Sequence, residues 1–442
     1  MQIALSLTDD SLVARASELY QRERGKAAGS MELARRLDPA RLTRIATICH
    51  WGRSGSMLLA SLLDDHPLVL ALPQSLSTYI YDFCEDYRHL DLWQKLLVYP
   101  FYSAVKAGEE GDFFLANSAS GDFAIEPGAY VAAVEALAAV HSANPGAAPG
   151  SRRAFVQFLH GAYAIALGKC PDSTRAIMIT AQHYQNDELA ARLVSDFPGA
   201  KFIHTVRDPI STVDSWFDRR VEMAAYASAR DNALNLTRYD CAVATMMDLL
   251  MWDAGHRQYA NETRIVRFED MHVATERTMR RLSRWLDIPY DECLVQSTWN
   301  GRPWVVMVRG VATAGTNPAS ARRRQKNLTA LDRLLVRALM QENFIAWGYE
   351  SRGVTLRGVV LALMNLRLLV LPLKIELVNV AVVYRAQLVP GMRAQGIPFA
   401  LRGALFLLQR RVRMVTLVAA DSLRRLTGRH RVMRPLTDET GA

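Results

Sequence analysis

ICHWGRSGSMLLASLL, residues 48–63, reads as the end of an apolar strand, a turn carrying Gly52 and Gly55, and the opening of a helix. At such a turn, successive backbone N–H groups converge on one concavity, and the helix N-terminus adds about half a positive charge. The place suits a phosphate-like anion. Both glycines keep Cβ atoms out of the turn, Ser54 and Ser56 add hydroxyl donors, and Arg53 adds a permanent charge with several fixed N–H groups. Read alone, the peptide serves equally well as a plain strand-to-helix connection with a surface arginine.

Outward from this turn, RLTRIATICH (41–50) supplies the strand itself, and residues 9–36 form an amphipathic helical stretch before it. Apolar runs recur at RAIMIT (175–180), KFIHTV (201–206) and TRIVRF (263–268), separated by helical patterns such as NDELAARLVSDF and ATERTMRRLSRWL. Strands alternating with helices predict an α/β fold with a mainly parallel sheet covered on both faces. The predicted organisation is an N-terminal helical segment (1–40), an α/β domain (41–350) with a helical insertion at about 72–160, and a basic, apolar helical tail (351–442). The Pro/Gly/Ala-rich SANPGAAPGSRR (142–153) reads as an exposed connector, and after residue 288 the pattern weakens into a loop, TWNGRPWVVMVRGVATAGTNPASARRR.

A second element faces the same edge of such a sheet. In KFIHTVRDPISTVDSWF (201–217) the strand delivers Arg207 at its C-terminal end, Asp208 is placed to cap the next helix, and Pro209 suits its first turn. Ligands of parallel sheets sit beyond that end of the strands. Ser211 and Ser215 share a helix face, so that Arg207 and a serine two turns into the helix can converge on one phosphate. The plain alternative makes Arg207 a partner of Asp208.

Together, GRSGSMLLASLLDDHP and FIHTVRDPISTVDSW resemble the paired signatures of sulfotransferases that use 3′-phosphoadenosine 5′-phosphosulfate (PAPS). The resemblance runs from about Arg41 to Tyr349. It implies a P-loop NTPase-like sulfotransferase fold and a 5′-phosphosulfate loop formed by Arg53, Ser54, Gly55, Ser56, Met57 and Leu58. It also implies that Arg207 and Ser215 hold the 3′-phosphate. IVRFEDM with the helix after it is similar to the family's third block and puts Phe268 near the adenine. ASARRRQKNLT (319–329) is loosely similar to a later segment and offers Arg323 for the 3′-phosphate. Two departures stand out: Arg53 replaces a common lysine, and Leu58 replaces an adenine-stacking tryptophan. The resemblance makes PAPS the cosubstrate, with no metal expected.

Sulfuryl transfer needs alignment, neutralisation of the leaving phosphate, which falls to Arg53, and a base for the acceptor's proton. His183 in ITAQHYQNDE lies just past RAIMIT at the same sheet edge, and histidine titrates near neutrality. It is similar in place to a family histidine, with Thr180 retained and the neighbouring lysine missing. Gln74 stands near where other members carry a basic glutamate, and an amide cannot serve as a base. Asp82 and Glu85 remain as fallbacks on an amphipathic helix. His66 reads as a structural cap, and His204 as a core histidine.

The chain has 442 residues, half of them hydrophobic, five scattered cysteines without C-x-x-C spacing, and no basic-then-apolar leader at its start. These features fit a reducing cytoplasm. Net charge is +9, yet residues 352–442 hold fifteen Lys/Arg against four Asp/Glu, or +11, leaving about −2 for the rest. In that tail Arg367, Pro372, Lys374 and Glu376 interrupt the apolar run before it reaches the ~20 residues needed to span a bilayer. Residues 354–434 therefore suit either the inner face of an anionic membrane or packing on the domain or on a second copy, as a homo-oligomer. Nucleic acid is not expected, since aliphatic runs make no stacking platform. The leading reading is a PAPS-dependent sulfotransferase acting on a hydroxyl (or amine) of a carbohydrate, lipid or glycolipid. A nucleotide kinase or NTPase is disfavoured by the missing G-x-x-x-x-G-K-[ST]. A membrane-associated protein that keeps the fold without catalysis is the third.

Overall fold

The computed structural model describes residues 9–25, 29–50, 54–107, 125–141, 151–183, 187–215, 259, 261–308, 311–321 and 328–330, with scattered positions from 333 to 416. Five strands form one sheet: β1 (Arg44–His50), β2 (Val69–Ala71), β3 (Ile177–His183), β4 (Lys201–Val206) and β5 (Thr263–Arg267). Their order is β2-β3-β1-β4-β5, and every pairing is parallel. The expected mainly parallel α/β architecture is what the chain adopts. β2 is an addition to the sequence reading, since three residues are too short to stand out as a periodic run.

Alternate residues of each strand serve opposite faces, and both faces are covered. Ile45, Cys49, Met178 and Phe202 join the core formed with the N-terminal and inserted helices. Ala46, Ile48, Ile177, Ile179 and Ile203 join a second core with the helices Ser56–Leu63 and Thr275–Leu286. Burial on both sides explains why these strands are continuously apolar instead of alternating. In the helix Asp9–Glu23, Leu12, Ala16 and Leu19 lie at helical spacing and are buried. The insertion is helical at Ile80–Asp86, Leu92–Ala107, Pro127–His141 and Arg152–Ala166. It packs around Phe83, whose ring lies 4.8–5.4 Å from Tyr87, Tyr99, Tyr102 and Phe155. The connector is described only from Ser151, whose side chain accepts from the Ala154 amide as the N-cap of the last of these helices.

The stretch from Thr298, expected as loop, is not a plain loop. It holds two hairpins, β6 (Thr298–Trp299) with β7 (Arg302–Pro303), and β8 (Val305–Val308) with β9 (Val311–Ala314). The first turns on Asn300 and Gly301, both in the left-handed region with φ of 52° and 72°. Asn-Gly is the dipeptide that such a two-residue turn prefers. Its tip is fastened on two sides. The Asp64 carboxylate accepts from the Thr298 hydroxyl (3.1 Å) and the Gly301 amide (2.9 Å), and the Tyr163 hydroxyl donates to Asn300 Oδ1 (2.9 Å). Further on, Val336, Met340, Phe344 and Trp347 recur at helical spacing and are all buried.

Candidate functional site

β1 is the strand where connections diverge: the chain leaves it toward β2 and β3 on one side and returns to β4 on the other. The crevice beyond the C-terminal ends of β1 and β4 is therefore the place where this topology leaves room for a ligand. Both sequence elements singled out above arrive there. β1 ends at His50, which is in register with His183 of β3 and Thr205 of β4, and the turn follows. Residues 51–53, Arg53 among them, lie outside the described residues.

The turn is described from Ser54. Gly55, at φ +92° and ψ 18°, is the N-cap residue of the helix Ser56–Leu63 and makes no side-chain cap bond. The Leu59 amide bonds the Gly55 carbonyl (3.0 Å), so the amides of Ser56, Met57 and Leu58 are the first-turn donors for which a helix has no internal acceptor. A Cβ at position 55 would stand 2.6 Å from Phe268 Cδ2 and 3.0 Å from Met271 Cε. Position 55 thus needs glycine both for its dihedral and for its neighbour.

The ring that crowds Gly55 also supports Arg207. The Arg207 Cζ lies 4.4 Å from the Phe268 centroid, so no more than about 10 Å separates the guanidinium carbon from Gly55 Cα once a ring radius and a Cα–Cβ bond are added. Ser54 Oγ and Thr205 Oγ1, 2.8 Å apart, join the turn to β4. Arg207 is only 7% exposed, and Ser215, two turns on, is buried as well. Asp208 caps the helix that begins at Pro209, its Oδ1 accepting from the Ser211 amide (2.7 Å), as its position before proline predicts. That cap accounts for an aspartate just before Pro209.

Three groups around Arg207 were not legible in the sequence. Glu269 accepts from the Asp208 amide (3.1 Å) with Oε1 and from the Tyr349 hydroxyl (2.6 Å) with Oε2. Burial pushes its carboxyl above the usual range, while these hydrogen bonds and the Arg207 charge pull it back. Beside it, Arg267 grips both oxygens of Asp270 (2.8 and 2.7 Å) and donates to the Gly348 carbonyl (2.9 Å). His272 stands edge-on to Phe268, centroids 4.4 Å apart, and its Nδ1 accepts from the Asn317 amide (2.8 Å). Burial, and then the nearby Arg207 charge, lower its pKa to about 4.

Leu58 is buried in the core beneath the sheet, so its side chain packs and only its amide faces the turn. Met57 rests on Trp299, whose ring stacks on Trp304. His183 is the last residue of β3, on the sheet edge beside β1, and its side chain is outside the described part. The same holds for the side chain of Gln74, and Arg323 lies outside the described residues altogether. Asp82 is exposed and Glu85 is tied to Arg88, Arg152 and Arg192. His66 is structural: its Nδ1 accepts from the Leu68 amide, which leaves Nε2–H to donate to the Pro289 carbonyl (2.9 Å). His204 is fully buried. No cluster of three or more metal-ligating side chains occurs among the described residues.

Residues 48–292 match the model of the sulfotransferase family. The chain belongs to that family. Over 105 residues it is 32% identical to protein-tyrosine sulfotransferase 1 of Danio rerio, a match covering 23% of this chain and 27% of that protein. The chain thus spans about a quarter of that relative's length. Among solved structures it is similar to the sulfotransferase domain of the curacin biosynthetic pathway, at 15% identity and a TM-score of 0.33, covering 73% of this chain and 98% of that domain. The sulfotransferase domain of the Synechococcus PCC 7002 olefin synthase gives 19% identity and a TM-score of 0.32, covering 66% and 92%.

Proposed function

We propose that this sulfotransferase takes its sulfuryl group from PAPS and passes it to a hydroxyl (or amine) of a carbohydrate, lipid or glycolipid acceptor. One observation carries the reading: the Phe268 ring touches both the Gly55 turn and Arg207, so two anion-binding elements 152 positions apart in the chain share one wall. PAPS, when bound, supplies an activated sulfuryl group on an adenosine that bears a second phosphate.

The chain's own residues fit such a molecule at both of its anionic ends. The amides of Ser56, Met57 and Leu58 open a helix whose N-cap glycine offers them no side-chain acceptor, and a negative group there is favoured by about 0.3–1 kcal/mol or more when partly buried. If Thr205 donates to Ser54, the Ser54 proton is free to bond an anion, so the hydrogen-bonded pair aims a hydroxyl into the turn. Arg207 and Ser215 take the 3′-phosphate, and Arg53 offsets charge on the leaving oxygen. Phe268 holds the arginine by its face, which fixes the guanidinium without consuming its N–H donors. His183 takes the acceptor's proton from its place at the end of β3. The partial match to a protein-tyrosine sulfotransferase adds a phenolic hydroxyl to the acceptors worth screening.

Calorimetry with adenosine 3′,5′-bisphosphate tests the donor: it should bind tightly, ATP–Mg²⁺ weakly, and Arg207→Ala should abolish the difference. Binding of ATP–Mg²⁺ alone would favour the kinase reading. Turnover of labelled PAPS against acceptor panels, lost in His183→Ala with bisphosphate binding kept, tests the base; binding without turnover in the wild type favours a non-catalytic role.

A further inference from the structure

Beyond Tyr349 the described positions include a row unlike the other described residues. Leu401, Leu405, Gln409, Val412 and Thr416 are helical, at spacings of four, four, three and four residues, and Ile397 precedes them. Ile397, Leu401, Leu405 and Val412 are 70%, 60%, 63% and 57% exposed. These four make up most of the large apolar side chains exposed among the described residues. Steps of three and four residues put them on one helix face.

We propose that this face docks on an anionic lipid bilayer. The choice of occupant rests on charge. Residues 393–434 contain ten arginines against one aspartate, Asp421, and Arg393 is exposed at the start of the row. A second copy would bring two strongly positive segments together, and the remaining chain, near −2, offers no large opposing field. An anionic headgroup layer matches the arginines while the acyl boundary receives Ile397, Leu401, Leu405 and Val412. The segment suits lying on the membrane better than crossing it, because Arg402, Arg410, Arg411 and Arg413 break the apolar run well short of the ~20 residues a span needs. RNA would satisfy the arginines and leave the aliphatic row in water.

Flotation of the full chain with vesicles tests this. The wild type should float with vesicles carrying about 30% anionic lipid, remain behind with pure phosphatidylcholine, and release partly at about 0.5 M salt. Leu401→Asp with Leu405→Asp should lower the bound fraction at least tenfold while leaving the urea midpoint unchanged, because both sites are exposed. Arg410→Glu with Arg411→Glu should weaken binding to anionic vesicles without touching the apolar row. Equal flotation of the wild type and the double aspartate variant would overturn the proposal, as would equal binding to neutral vesicles. So would a wild-type dimer in sedimentation velocity that the double aspartate variant dissociates, since the face would then be covered by a second copy.

Discussion

Replacing Gly55 by alanine tests the shared wall between the turn and Arg207 most directly. Two costs add. The backbone at φ +92° penalises any residue with a Cβ by about 1–2 kcal/mol. The new methyl would stand 2.6 Å from Phe268 Cδ2 and 3.0 Å from Met271 Cε. Met271 is fully buried, and Phe268 is held between Arg207 on its face and His272 at its edge, so neither retreats freely. Overpacking of this kind costs about 1–3 kcal/mol. The expected total, about 2–5 kcal/mol, is a large part of ordinary domain stability. A double-mutant cycle in urea isolates the ring's share: in a Phe268→Ala background, Gly55→Ala should keep the dihedral penalty and the Met271 contact but lose the Phe268 clash, giving a coupling of about 1–3 kcal/mol. Moving the ring also moves Arg207, so bisphosphate affinity in Gly55→Ala should fall more than tenfold. A coupling within about 0.5 kcal/mol of zero, with affinity unchanged, would refute the reasoning.

Arg207→Ala should weaken bisphosphate binding by about 10² or more, as loss of a charge-assisted phosphate contact does, with the urea midpoint shifting little by comparison. Tyr349→Phe removes the hydroxyl that Glu269 accepts and should cost about 1–2 kcal/mol, read from urea unfolding. Asp208→Ala deletes an N-cap and should cost about 1 kcal/mol, whereas Asp208→Asn should recover most of it. Stability should also fall on acidification. His160 is buried and its pKa is lowered by that burial to about 4, so the unfolded chain takes up a proton near pH 6.5 that the native chain refuses. Its contribution is complete above pH 6.5 and is lost as pH drops toward about 4, on the order of 3 kcal/mol in all. His160→Gln should flatten the urea midpoint against pH in that window; an unchanged slope would exclude His160 as the source.

The four long strands were legible because a sheet buried on both faces demands continuous apolar runs, and IATIC, AIMIT, FIHTV and RIVR are such runs. The Asp208 cap was legible too, since an aspartate just before a proline has few other uses. What the sequence hides is packing between distant residues. Nothing in the local pattern of Phe268 says that its edge closes on Gly55 or its face on Arg207. The bonds from Glu269 to Tyr349 and from Arg267 to Gly348 span about 80 positions and join groups that look like ordinary surface charges in the string. The first hairpin differs. It reads as loop, because the two-residue strands beside Asn300-Gly301 are too short to show alternation.

That hairpin tip is a keystone. Through Asp64 it holds the helix that follows the glycine turn, and through Asn300 it holds Tyr163 in the last helix of the insertion. The Trp299 ring beside it bears on Met57. Exchange of the insertion for one from a relative would therefore have to bring its own hydroxyl for Asn300, or the graft would loosen the floor on which the glycine turn stands. Diversification of this scaffold is constrained to proceed in matched pieces, insertion and hairpin together.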